Sequence, residues 1–178
     1  RAVTGALGQA GGILTAEDFA RHRSNWVAPI EVPYRGYRAL NLPPNAQGFT
    51  ALQILGILER FDIAALRDDP VGYVDVVVRA TRVAFEDRDR YLSDPAFVDI
   101  PLDRLLAPAY LDARAAITAR GLSVPPAPAP TMGADTTFSC AVDAEGNAAA
   151  VIQSIYFEWG SGVARDDTGV LLQNRGSF

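Results

Sequence analysis

The chain has 178 residues, 16 basic and 21 acidic, for a formal net charge of −5; 49% are hydrophobic and 21% charged. That make-up belongs to a globular protein and excludes a disordered tail, a collagen-like fibre and, with no basic cluster, a nucleic-acid-binding surface. One cysteine, Cys140, and one histidine, His22, exclude an internal disulfide and a Cys/His metal cage.

Residues 11–19, GGILTAEDF, carry a helix start, with Thr15 as cap and Asp18 three residues on. Ile30 to Leu42 reads as strand pieces broken by Pro33 and Gly36, with Pro33 suited to an edge. Residues 47–61 place Phe49, Leu52, Leu55, Leu58 and Phe61 on or near one face, widened by Ile54 and Ile57, which predicts a buried helix. Residues 70–92 repeat the pattern through Val74, Val77, Val78, Thr81, Ala84 and Phe85, and Ser93-Asp94-Pro95 ends it. Within it, Glu86 and Arg90 stand at i,i+4 spacing, so Glu86-Asp87-Arg88-Asp89-Arg90 is read as a solvated face and not as acid–base machinery. A third helix is predicted over Leu102 to Arg120, followed by an extended linker containing Pro125, Pro126, Pro128 and Pro130. Residues 137–143 and 147–155 then read as a hairpin around Ala144-Glu145-Gly146, with a further strand at Gly169–Gln173. On that hairpin Cys140 is expected to be a buried small apolar residue, and His22 to be exposed and inert. No apolar run approaches the ~20 residues of a membrane span. The chain starts at Arg1 without Met and stops at Phe178 within structured-looking sequence, so it is read as a segment of a longer protein with no visible signal peptide.

The segment DTTFSCAVDAEGNAAAVIQSIYFEWGSGVARDDTGVLLQNRGSF, residues 135–178, resembles the start of the small subunit of the γ-glutamyltranspeptidase family, in its acylase-like branch. GGILTAEDFA, YRGYRALNLPPNAQGFTALQILGILE and AFEDRDRYLSDPAFVDIPLDRLL resemble the end of that family's large subunit, in the same order. The resemblance implies an autoprocessing N-terminal nucleophile hydrolase of the α+β class, a four-layer αββα sandwich of which this chain is part. It divides the chain into 1–135, the mostly helical end of the large subunit with a proline-rich linker at 124–135, and 136–178, the β-rich start of the small subunit. The cut falls between Asp135 and Thr136, and Thr136 becomes the nucleophile. A threonine hydroxyl needs a nearby base, and a free α-amino group with a pKa of roughly 7.7–8.0 supplies one near neutral pH. No His is needed, and the sequence contains no Lys to serve instead.

The other site positions carry over singly. Ser154 matches a family Thr whose hydroxyl bonds the nucleophile. Tyr156 matches an Asn, and Arg175 a Gln, in the pocket that holds the polar head of the substrate. The family's nearby Asp, which grips a glutamyl amino group, has no counterpart, since Gly176, Ser177 and Phe178 fill that stretch. Losing a carboxylate and adding a guanidinium turns the pocket from ammonium towards carboxylate recognition. Each residue also has a plainer reading: Thr136 as a structural strand-start residue, Ser154 as an ordinary strand hydrogen-bonder, Tyr156 as a core or rim aromatic, Arg175 as a surface ion-pair residue.

The expected function is cleavage of an amide bond through a Thr acyl-enzyme, on γ-glutamyl or related acyl substrates. Two alternatives stand beside it: a true γ-glutamyl transpeptidase acting on glutathione, and a non-catalytic relative with a binding role. No cofactor or metal is implied. The expected partners are a small-molecule amide and the two subunits of one precursor, with no nucleic acid and no membrane span in this segment. The segment by itself is expected to be inactive, because its oxyanion donors lie elsewhere. Compartment is left open, since family members occur inside the cell and exported.

Overall fold

A computed structural model describes residues 2–121, 136–156, 159–165 and 168–175. The proline-rich linker 124–135, Asp135 and the terminal Gly176-Ser177-Phe178 lie outside the described residues. Helices and antiparallel strands are combined in two compact units, one of residues 25–126 and one of residues 1–24 with 127–178.

In the unit of residues 25–126, β1 (Ile30–Tyr34) and β2 (Tyr37–Asn41) form a hairpin with Pro33 opposite Arg38. Its two turn residues, Arg35 and Gly36, both have positive φ, 51° and 81°, which matches the right-handed twist of the strands. Arg35 is paid back for that backbone: its guanidinium donates to the carbonyls of Phe61 at 2.6 Å and Leu58 at 3.3 Å. Leu58 ends α3 (Gly48–Leu58) and Phe61 lies in the turn just beyond it, where a cation suits the helix dipole. The predicted apolar face of α3 is buried at Phe49, Leu52, Ile57 and Leu58.

Gly48 opens α3 because a Cβ there would stand 2.1 Å from the carbonyl oxygen of Leu42. Gly48→Ala is therefore expected to destabilise the protein by about 1–3 kcal/mol through overpacking, despite the gain of about 1 kcal/mol in helix propensity. A lowered urea midpoint at unchanged slope checks it.

Helix α4 (Pro70–Tyr91) starts on Asp69, whose carboxylate accepts from the Gly72 amide at 2.9 Å, with Pro70 in the first turn. Its buried stripe is Val76, Ala80, Val83, Ala84 and Asp87. This corrects the predicted face: Val74 is 56% exposed, Val78 47% and Phe85 37%. The VDVVV run puts valines on several sides of the helix, so the pattern alone did not select a stripe. The predicted third helix is two, α5 (Leu102–Leu105) and α6 (Pro108–Ala119). Pro108 holds Ala107 in extended backbone, φ −64° and ψ 141°, as residues before proline prefer.

The acidic–basic run in α4 is also corrected. Asp87 is 3% exposed and is not on a solvated face. It accepts from the Arg114 guanidinium at 2.7 and 3.0 Å, from the Tyr110 hydroxyl at 2.8 Å and from the Gln53 amide at 2.9 Å. Glu86 lies 3.3 Å from Arg114. Burial pushes the Tyr110 phenol above its ordinary pKa, and the bond to the Asp87 carboxylate adds to that.

In the other unit the sequence reading missed α1 (Ala2–Gln9), whose mix of glycine and small residues gives little periodic signal. Helix α2 (Ala16–Arg21) carries the predicted capping box: the Thr15 amide donates to Asp18 at 2.7 Å and the Asp18 amide to the Thr15 hydroxyl at 3.3 Å. The Thr15 bonds hold the Asp18 carboxyl below its ordinary range. His22 is exposed, as expected. Strands β3 (Thr137–Val142) and β4 (Ala148–Gln153) form the predicted hairpin, closed by Asn147 donating twice to the Asp143 carboxylate at 2.8 Å. Every position of both strands is exposed. Cys140 is accordingly exposed, against the expectation of burial, because the two-stranded ribbon leaves both its faces uncovered in this chain. A short antiparallel pair, β5 (Ala164–Arg165) and β6 (Val170–Leu171), follows. Among the described residues no helix is long and apolar enough to cross a membrane.

Candidate active site

The hairpin register builds the site. Thr137 pairs with Gln153 as the last rung of the β3–β4 ladder. The next residue outward on each strand is Thr136 on one side and Ser154 on the other. Their side chains meet there, with the Thr136 hydroxyl donating to Ser154 Oγ at 3.1 Å. Thr136 is exposed and Ser154 half-buried.

Beyond Ser154 the chain turns sharply. Tyr156 has φ 83°, a region that bulky residues rarely enter and that costs about 1–3 kcal/mol. The turn brings the Tyr156 amide back onto Ser154 Oγ at 3.0 Å. Ser154 Oγ thus accepts from two directions and is fixed in place.

The fourth residue, Arg175, arrives from 19 positions beyond Tyr156 by a backbone latch. The Asn174 amide donates to the Ile155 carbonyl at 3.3 Å. Ser161 donates to the Leu172 carbonyl through both its amide and its hydroxyl, each at 2.9 Å, and the Leu172 amide donates to Val163 at 3.1 Å. The Arg175 amide donates to the Gln173 side chain. The Arg175 guanidinium then lies over the Tyr156 ring, 5.4 Å from its centroid.

Four predicted site residues, Thr136, Ser154, Tyr156 and Arg175, therefore form one chain of contacts within a single compact unit. Asp135 lies outside the described residues. The sequence reading missed the latch at Gly160, Ser161 and Leu172. Its one signal in the sequence is the pair of glycines in Gly160-Ser161-Gly162. Gly160 has φ 55°, and a Cβ there would stand 2.3 Å from the Leu172 carbonyl oxygen. Gly160→Ala is expected to break the latch, so the amides of Leu172 and Asn174 should exchange with solvent about tenfold faster or more than in the parent. Hydrogen exchange read by mass spectrometry tests this; unchanged rates would refute it.

Among the described residues no group of three or more His, Cys, Asp or Glu side chains is placed to hold a metal ion. The patch chemistry is two hydroxyls in contact, an aromatic ring and a guanidinium.

Comparison with known proteins gives consistent findings. Residues 1–178 match the Gamma-glutamyltranspeptidase family. The chain is 47% identical over 168 residues to the Glutathione hydrolase-like YwrD proenzyme of Bacillus subtilis, covering 94% of this chain and 32% of that protein. It is 33% identical over 173 residues to the Glutathione hydrolase proenzyme of Escherichia coli, covering 93% of this chain and 30% of that protein. Among solved structures, the cephalosporin acylase from Bacillus halodurans superimposes with a TM-score of 0.74 at 34% identity, over 96% of this chain and 30% of that one. The chain thus spans about a third of the length of the curated relatives it matches.

Proposed function

The chain belongs to the gamma-glutamyltranspeptidase family, in its acylase-like branch, and from that premise we propose that Thr136 is the nucleophile of an autoprocessing amide hydrolase or acyltransferase. The observation that carries this reading is the 3.1 Å contact of Thr136 Oγ1 with Ser154 Oγ at the open end of the β3–β4 ladder.

In maturation the Thr136 hydroxyl attacks the Asp135 carbonyl. The Asp135–Thr136 C–N bond gives way to an ester, and water hydrolyses that ester, leaving a carboxylate on Asp135 and a free amine on Thr136. In turnover the same oxygen attacks the carbonyl carbon of an amide substrate. Its proton passes to the Thr136 amine and on to the leaving amine as the substrate C–N bond breaks. Water, or an acceptor amine, then takes the acyl group and restores the hydroxyl. Ser154 positions Oγ1; its own hydroxyl rotor can turn to donate once Thr136 has lost its proton. The fold proposed for the full-length protein is the four-layer αββα sandwich with β3 and β4 as central strands, and the segments on either side of the cut stay associated.

Intact mass and N-terminal sequencing of the purified full-length protein test the proposal. A fragment beginning at Thr136 is the expected result; a single uncut chain, stable over days, would overturn it. For Ser154→Ala, loss of a hydrogen bond to a developing charge should slow both the cut and turnover by about 10–100-fold. Ser154→Thr, which keeps the hydroxyl, should stay within about fivefold of the parent. Time courses of fragment appearance distinguish the two.

A further inference from the structure

We infer that the outer face of α4 is a self-association surface: two copies of the protein pair there, helix against helix and antiparallel, about a two-fold axis at Val78.

One side of α4 is spent on the interior, where Val76, Ala80, Val83, Ala84 and Asp87 are buried and the helix packs against α3 and α6. The other side is apolar as well. Val71 is 78% exposed, Val74 56%, Val78 47% and Phe85 37%. At about 100° per residue, Val71, Val78 and Phe85 fall nearly on one line along the helix, with Val74 beside them, and the seam runs about 21 Å. A helix with one side in water carries polar residues there; a continuous apolar seam in their place marks a partner. Arg88 lies over the Phe85 ring, 3.8 Å from its centroid, so the largest side chain of the seam is held before any partner arrives.

The charges identify the partner as a second copy. Asp75 and Arg82 stand seven positions apart on one flank of the seam. A two-fold axis at Val78 sets each residue opposite the one equally far along on the other side. Val78 then meets its own counterpart, and Val71 meets Phe85 of the second copy, seven positions from the axis in each case. Asp75, three before the axis, comes beside Arg82 of the second copy, four after it. Each copy gives an Asp and takes an Arg, so the contact is complementary to itself. A parallel pair would set Asp75 against Asp75 and Arg82 against Arg82, which repels. A covering segment from elsewhere in the same chain would not require this two-fold spacing. Asp75 keeps its i,i+4 ion pair with Arg79, and the arriving guanidinium adds to it. A single helix pair buries less than a standard interface of about 1,600 Å², so the dimer should be a weak one, half-formed at about 1–100 µM.

Sedimentation velocity of the full-length protein from about 0.1 to 200 µM tests the inference; a species of twice the mass should grow in with concentration. Val78→Asp puts two carboxylates on the axis and should raise the dissociation constant about 100-fold or more. Asp75→Arg alone and Arg82→Asp alone should each raise it about tenfold. The two together exchange the charges and should return it to within about threefold of the parent. Damage to the helix would not be repaired by combining them. Val78→Cys gives a readout that no contact within one chain can imitate: mild oxidation should join position 78 of one copy to position 78 of the other, identified as a linked peptide by mass spectrometry. Asp112→Cys, at an exposed position of α6, should not link in this way. A single species of monomer mass throughout the range, a dimer that survives Val78→Asp, or no 78–78 link above the Asp112→Cys control would each overturn the inference. So would protection of Val78 and Phe85 from hydroxyl radicals that persists in the monomer, which would show that the chain's own remaining part covers the seam.

Discussion

Thr136→Ala should give a full-length protein that stays one uncut chain and turns over no amide, a loss of at least about a thousandfold. The size of the loss follows from what alanine removes. In the proposed cycle Oγ1 forms the new bond in both acyl transfers, and no neighbouring group in the patch can take its place: Ser154 accepts from Thr136 and from the Tyr156 amide, and does not itself follow the peptide bond that is cut. Stability should hardly change. Thr136 stands outside the β3–β4 ladder, and alanine deletes only a hydroxyl and a methyl there without breaking a ladder bond, so the cost should be about 1 kcal/mol or less. Unchanged melting with vanished processing is the diagnostic pair. Thr136→Ser keeps the hydroxyl and loses only the methyl that restricts χ1; it should still be cut, more slowly. Mass spectra of the three proteins after equal incubation decide the matter, and an alanine variant cut like the parent would remove Thr136 from the mechanism.

Much of this candidate site is legible in the sequence itself. Thr136, Ser154, Tyr156 and Arg175 stand out by their positions within ordered family blocks; the hairpin register brings the first two together, and the turn at Tyr156 and the latch add the other two. The register was readable because Ala144-Glu145-Gly146 marks the turn, which sets the pairing and leaves Thr136 opposite Ser154. The capping box at Thr15 and the buried face of α3 were legible for the same reason: each is a local signal over a few residues. What escaped the sequence was non-local. The latch needs Gly160 and Leu172 to meet, 12 positions apart, and no periodicity reports that approach. The buried stripe of α4 depends on which side α3 and α6 cover, and a valine-rich run offers more than one. Cys140 was expected inside because alternation on a strand implies one covered face; a ribbon of two strands in this chain covers neither. Asp87 failed for a related reason, since a carboxylate in a run of charges reads as solvated until the partners at Gln53, Tyr110 and Arg114 are known.

Those partners set the second large effect. Asp87→Asn should destabilise the protein by about 3–5 kcal/mol, a large fraction of the 5–15 kcal/mol that holds a typical domain together. The carboxylate accepts four bonds, two from Arg114, one from Tyr110 and one from Gln53. Asparagine is nearly the same size, so no cavity forms. It removes the buried negative charge, leaves the Arg114 guanidinium only the solvent-facing Glu86 carboxylate at 3.3 Å as counter-charge, and turns an NH2 towards groups that are themselves donors. Tyr110→Phe deletes one of the four bonds and leaves the ion pair, so it should cost only about 1 kcal/mol. Coupling separates charge from packing. Asp87→Leu combined with Arg114→Met removes both charges, and the double variant should be less destabilised than the sum of the singles by about 1–3 kcal/mol. Urea denaturation of the full-length proteins supplies the numbers. Additive losses would mean that Asp87 and Arg114 act independently, and that the core around α4 and α6 rests on its apolar contacts alone.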